Sequence, residues 1–173
     1  MPDLLIELLS EEIPARVQEF AANELKKNML SFLADQGVSE IAATACSTPR
    51  RLTLFMSGLP EKAPDINEER KGPRIDAPQQ AVDGFLRSVD LNLDQLEVKR
   101  DGNVDKYFAL IEKPGRICTQ IVAEALEKTI RTFPWPKSMR WGASSLKWVR
   151  PLKGLLCIFI RDDQHQLIEL EID

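Results

Sequence analysis

The sequence is short of the residues from which most active sites are built. It has one histidine, His165, and three cysteines, Cys46, Cys118 and Cys157, which are widely separated and outside any C-x-x-C spacing. That usage points to reduced thiols in an intracellular protein and argues against a structural zinc site. No G-x-G-x-x-G or G-x-x-x-x-G-K-[ST] run is available to cradle a phosphate, and no G-x-S-x-G elbow accompanies His165. Nucleotide sites of those types and Ser/His/Asp hydrolysis therefore have no motif to rest on. Long apolar runs are missing too. No stretch approaches the length of a bilayer, and Met1-Pro2-Asp3-Leu4-Leu5-Ile6-Glu7 lacks the basic start of a secretory signal. The expectation is a cytoplasmic protein with no membrane partner.

The most informative absence is of acid. Between Glu127 and Asp162 there is none, while Lys128, Arg131, Lys137, Arg140, Lys147, Arg150, Lys153 and Arg161 give that window a charge of +8. The total is −4, so the rest of the chain carries −12. Net charge alone argues against a polyanionic partner, but the field near a cluster depends on nearby charges more than on the total. All three tryptophans, Trp135, Trp141 and Trp148, fall in the same window, in Pro134-Trp135-Pro136-Lys137-Ser138-Met139-Arg140-Trp141-Gly142 and Trp148-Val149-Arg150-Pro151. Bases that neutralise phosphates, interleaved with indoles that stack on nucleobases, are what a nucleic-acid surface needs. A folded loop whose tryptophans fill the core under solvated bases has the same composition, so both readings stand. Thr48-Pro49-Arg50-Arg51-Leu52 and Glu69-Arg70-Lys71-Gly72-Pro73-Arg74 are two further basic clusters. They would serve the same partner if the fold brings them together.

What is present suits one compact domain or two small ones: 173 residues, 43% hydrophobic and 29% charged. Residues 4–9 read as a buried strand, and Ser10-Glu11-Glu12-Ile13-Pro14 as a helix start with acids in the first turn. A helix follows to about Gln36, with Val17, Ala21, Leu25, Met29 and Phe32 on one face and Gly37 as its terminator. Residues 41–46 and 52–58 read as strands around a turn, and residues 59–78, with Pro60, Pro64, Gly72, Pro73 and Pro78, as a long exposed loop and possible sub-boundary within one region spanning 1–173. Next come a short helix over 79–89, strands over 96–100 and 106–112 joined by Asp101-Gly102-Asn103, and a second long helix over 117–132 stopped by Phe133-Pro134-Trp135-Pro136. An apolar strand over 155–160, a turn at Asp162-Asp163-Gln164 and an alternating strand over 167–172 complete the pattern up to Asp173. The fold class is α+β with mixed α/β layers: short strands, and two long amphipathic helices packed on a mostly antiparallel sheet.

Glu7, Glu11 and Glu12 form the one acidic cluster that invites a general-base or metal-ligand reading. The plainer account is that acids favour the first turn of a helix, and no His, Cys or Asp nearby completes a constellation.

Taken in order, Leu5-Ile6-Glu7-Leu8-Leu9-Ser10-Glu11-Glu12-Ile13-Pro14, Thr48-Pro49-Arg50-Arg51-Leu52, Arg70-Lys71-Gly72-Pro73, Ala81 with Gly84-Phe85, Lys137-Ser138-Met139-Arg140-Trp141-Gly142 and Val149-Arg150-Pro151 form a recognisable set. Together they resemble the N-terminal part of the β-subunit of bacterial heterotetrameric glycyl-tRNA synthetase, over about residues 4 to 160. Where that family often has an Ile-Gly-Thr run before the two glutamates, this chain has Leu8-Leu9-Ser10, which lacks the glycine. The resemblance implies a ligase that charges tRNA(Gly) with glycine, with ATP and Mg used at the α-subunit and no cofactor held by this segment. The implied partners are the α-subunit, a second β-subunit and tRNA(Gly), and the family's C-terminal domains are absent. On this view the segment is a non-catalytic tRNA-binding and assembly region, with Arg50, Arg51, Lys137, Arg140 and Arg150 as the residues for phosphate or base contacts. A docking module for the α-subunit or later β domains is the alternative, and an editing-like hydrolytic domain ranks last, since no nucleophile constellation or metal cluster supports it.

Overall fold

In the computed structural model, which describes residues 1–102, 104–162 and 164–172, the chain runs β1 (Asp3–Ser10), α1 (Ala15–Asp35), β2 (Ala42–Thr48), β3 (Arg51–Ser57), β4 (Ile66–Arg74), α2 (Gln79–Val89), β5 (Leu96–Asp101), β6 (Val104–Lys113), α3 (Cys118–Arg131), β7 (Met139–Arg140), β8 (Lys147–Trp148), β9 (Leu152–Arg161) and β10 (Gln164–Leu167). The described strand pairs are antiparallel, so the expected α+β class holds. Two units are present: Met1–Ala63 with Arg116–Asp173, and Pro64–Gly115 inserted between them.

The first unit is built on a five-stranded sheet in the order β10-β9-β1-β3-β2. Alternation along β1 decides its two faces, because successive side chains of a strand point to opposite sides. Leu4, Ile6 and Leu8 are buried, and the register sets Ile6 opposite Leu54 on β3 and Cys157 on β9. They share a core with Ala21, Leu25, Met29 and Leu33 of α1 and Ile121, Val122, Ala125, Leu126 and Ile130 of α3. Each fully buried Leu or Ile side chain stabilises this arrangement by about 1.5–3 kcal/mol relative to exposure. The Thr129 hydroxyl donates to Met29 Sδ at 3.8 Å where α3 meets α1. Gly37, at φ 78°, ends α1 in the left-handed conformation that glycine adopts without strain, and its N–H donates to Ala34 O at 2.9 Å.

The other face of the sheet carries an apolar row across four of its five strands. Leu167 lies opposite Ile158, Ile158 opposite Leu5, and Leu5 opposite Phe55, with Thr44 of β2 completing the row. Phe55 is 41% and Leu167 56% exposed.

Two sequence expectations need correction here. α1 begins at Ala15 with no acid in its first turn, so the helix dipole does not account for Glu11 and Glu12. The last strand is β10 and ends at Leu167, short of the expected 167–172. Beyond it Ile168 is buried with its N–H on Cys157 O at 2.8 Å, and Leu170 and Ile172 pack on the core, which uses the apolar side chains without a strand ladder. The missing glycine at Leu8-Leu9-Ser10 is accommodated without a left-handed residue: the β1–β9 register shifts between Leu9 and Ser10, and neither has positive φ.

The inserted unit holds a three-stranded sheet, β4-β6-β5, and α2. Its first strand, β4, occupies part of the segment expected to be a loop. Pro73 is tolerated because β4 is an edge strand and its register slips between Lys71 and Arg74. Gly72 lets α2 pack closely, since a Cβ there would stand 2.5 Å from the Phe85 ring and displace it. The β5–β6 hairpin closes at the Asp101↔Val104 pair with Gly102 at φ 67°. Asn103 of that expected turn, Asp163 of the next one and the terminal Asp173 lie outside the described residues. Both ends of the insertion are stitched within the first unit: Ala63 N–H donates to Arg116 O at 2.8 Å and Cys118 N–H to Glu61 O at 2.8 Å.

Candidate functional site

Three of the sequence motifs meet where β1 ends. Ser10 N–H donates to Arg50 O at 2.9 Å, Ile13 N–H to Pro49 O at 2.6 Å, and Glu11 N–H to Pro151 O at 3.0 Å. The link between β1 and α1 is thus strapped to the β2–β3 turn on one side and to the lead into β9 on the other. Two of the three acids here, Glu7 and Glu11, are taken up by neighbouring bases, while Glu12 is exposed. The Glu11 carboxylate accepts from Arg50 at 3.2 Å and lies 3.4 Å from Lys153 Nζ, and Glu7 accepts from Arg51 at 3.3 Å. These side chains are partly exposed, so each pair contributes little to stability. Their effect is to neutralise. Among the described residues no group of three or more His, Cys, Asp or Glu could hold a metal ion.

Beside this junction runs a groove of about 440 Å³, lined by Pro14, Arg16 and Val17 at the start of α1 and by Pro136, Lys137, Met139, Val149 and Arg150. Three cations and no acid line it. Lys137, Met139 and Arg16 are exposed, whereas Val149 is buried and Arg150 is half-buried with its guanidinium donating to Val149 O at 3.2 Å. Met139 pairs with Trp148 and Arg140 with Lys147 in the two-stranded β7–β8 ribbon. Arg16, Lys137, Arg140, Lys147 and Arg150 make no ion pair among the described residues, unlike Arg50 and Arg51.

The tryptophans divide. Trp135 and Trp148 are buried and form a cluster with Phe133, with ring centroids 4.5 to 5.0 Å apart. They are unavailable for stacking on a base, and for these two the core-filling alternative holds. Trp141 is half-buried, with its indole N–H donating to Trp148 O at 3.2 Å. The buried pair anchors the basic segment: Trp148 sits in the core immediately before Val149 and Arg150, and Trp135 immediately before Pro136 and Lys137.

Of the five candidate contact residues, Lys137 and Arg150 share the groove, Arg140 follows groove-lining Met139, and Arg50 and Arg51 stand at the β2–β3 turn. The Arg70–Arg74 cluster belongs to the inserted unit. Sequence reasoning missed Arg16 as a site residue. Its one local signal is its position two residues after Pro14, at the end of a diagnostic motif. His165 stands exposed on β10.

Residues 4–173 match the family model described as glycyl-tRNA synthetase beta subunit. The chain belongs to the glycyl-tRNA synthetase beta subunit family. It is 54% identical over its full length to the Glycine–tRNA ligase beta subunit of Ruegeria sp. (strain TM1040), and 52% identical to the protein of that name from Paracoccus denitrificans (strain Pd 1222). It spans about a quarter of the length of each of these relatives. The motifs that meet at the end of β1 are three of the six on which the resemblance to the synthetase β-subunit rests. No described helix is long and apolar enough to cross a membrane.

Proposed function

We propose that this chain is a tRNA-holding part of a cytoplasmic glycine–tRNA ligase and performs no chemistry itself. The observation that carries this is the groove with Arg16, Lys137 and Arg150 and no acid, flanked by Arg140 and Lys147. Unpaired cations on a surface anchored to a core are suited to phosphates, whose neutralisation releases counterions. Of the acids that offered a catalytic reading, Glu7 and Glu11 are engaged by Arg51, Arg50 and Lys153, Glu12 is exposed and makes no ion pair among the described residues, and no group of three or more His, Cys, Asp or Glu among those residues could hold a metal ion. As the family resemblance implies, adenylate formation with ATP and Mg belongs to the α-subunit, and tRNA(Gly), the α-subunit and a second β-subunit are the partners.

The test is tRNA binding by the whole α/β ligase across a fourfold range of salt. Arg140→Ala with Arg150→Ala is expected to flatten the dependence of log K on log salt by about 1.5, as for two lost phosphate contacts. An unchanged slope refutes the assignment.

A second reading, docking on the α-subunit or on other β domains, draws on the open apolar row through Leu5, Phe55, Ile158 and Leu167. It predicts that Phe55→Asp weakens recovery of the α-subunit with the β-subunit while leaving the salt slope of tRNA binding unchanged.

A further inference from the structure

Resting on that reading, we propose that the groove takes an unpaired nucleotide of RNA rather than the backbone of a duplex. Phosphate recognition alone would explain Arg16, Lys137 and Arg150. It leaves unexplained the other five lining residues, Pro14, Val17, Pro136, Met139 and Val149, which present no charge and no side-chain hydrogen-bonding group beyond a thioether. An RNA duplex turns its base faces inward and offers a protein phosphates and 2′-hydroxyls across a shallow groove. Such a ligand would satisfy the cations and leave the apolar lining uncovered. A nucleotide out of its stack brings both parts: a phosphate for the cations, and a flat face for apolar side chains and guanidinium planes.

Size and rigidity agree. About 440 Å³ falls within the range of small-ligand pockets. The wall is fixed by two prolines and by Val149, which follows the fully buried Trp148. α1 adds to the phosphate side, because its cap residue Pro14 supplies no side-chain bond and its first turn carries no acid. Met139 is 46% exposed although it is flanked by polar and charged residues, and a flexible thioether is well suited to pack against a flat ring.

The experiment uses the whole α/β ligase and three probes: a single-stranded oligoribonucleotide of mixed sequence, a blunt-ended RNA duplex of equal phosphate count, and adenosine monophosphate. Two variants are compared with the parent, Met139→Ala and the triple Arg16→Ala, Lys137→Ala, Arg150→Ala, with far-UV circular dichroism to show that each folds. Met139→Ala is expected to weaken the single strand about 10-fold, leave the duplex within a factor of two, and leave both salt slopes unchanged. The triple variant is expected to flatten the single-strand salt slope by about 2. Equal loss for both RNA forms in Met139→Ala, or no loss for either, overturns the unpaired-nucleotide proposal but not the tRNA reading. An unchanged salt slope in the triple variant overturns the tRNA reading itself. Adenosine monophosphate binding as tightly as the oligonucleotide, and equally sensitive to Met139→Ala, makes the groove a free-nucleotide site and overturns the proposal as well.

Discussion

Trp148 offers a sharp test of how the basic segment is held. Its side chain is 1% exposed, wedged between Phe133 and Trp135 with centroids 5.0 and 4.9 Å away. A tryptophan buries about 150–250 Å², which at about 25 cal/mol per Å² is about 4–6 kcal/mol. Truncation to alanine is therefore expected to cost about 3–5 kcal/mol. The phenylalanine variant should behave differently. The Trp148 indole N–H is buried without a hydrogen-bond partner among the described residues, a condition that costs about 1–3 kcal/mol. Trp148→Phe loses the benefit of the larger ring but also removes that orphaned donor, so the net change should stay within about 1 kcal/mol. The bond from the Trp141 indole goes to the backbone oxygen of residue 148 and is available in both variants, so the comparison isolates the side chain. Urea unfolding followed by far-UV circular dichroism, with midpoints compared at equal slope, measures both. If phenylalanine destabilises as much as alanine, the indole N–H is satisfied in solution and the packing argument for this residue is wrong.

Two more outcomes follow from burial and topology. Burial pushes the Cys157 thiol up to about 12 and the Cys118 thiol up to about 11, while Cys46 is exposed. At pH 8 a thiol reagent should therefore modify one cysteine per native chain and three in denaturant; stability should be insensitive to these thiols well below the unfolded thiol pKa of about 8.5 and fall as pH rises above it, as the unfolded chain ionises first. Because Ala63 and Arg116 are hydrogen-bonded to each other, replacing Pro64–Gly115 with a linker about a tenth as long should lower the closure entropy by about 2 kcal/mol. The excised chain should keep a cooperative thermal transition, and loss of that transition would refute independent folding of the first unit.

Much of this architecture was legible because it obeys simple periods. Leu4, Ile6 and Leu8 alternate into a strand, and Leu25, Met29 and Leu33 recur at helical spacing, as do Val122, Leu126 and Ile130. The misreadings arose where a local pattern was claimed by a distant partner. Ser10-Glu11-Glu12 has the look of a helix start, but Glu11 is tied to Arg50 and Lys153, and Pro14 sets the actual boundary. Pro73 and Gly72 advertise a loop, yet an edge strand with a register slip and a neighbouring aromatic ring accommodates both. The positive window was plain from charge alone. The groove was not, since it needs Arg16 beside Lys137, and no periodicity reports a contact between residues so far apart in sequence.

The position of β1 in the middle of its sheet has a consequence for synthesis. Asp3 is paired on one side with Ser57 and on the other with Ile160. On a ribosome adding about 5–20 residues per second, β1 emerges about 10–30 seconds before the strand that covers its second edge. Once β2 and β3 have followed, the partial sheet of β1, β3 and β2 offers an open hydrogen-bonding edge bearing Leu4, Ile6 and Leu8 until β9 arrives. Such an edge is a template for pairing with other nascent chains. The same connectivity that ties the two ends of this sequence into one core makes its early translation the period of greatest exposure to misassembly and to capture by chaperones.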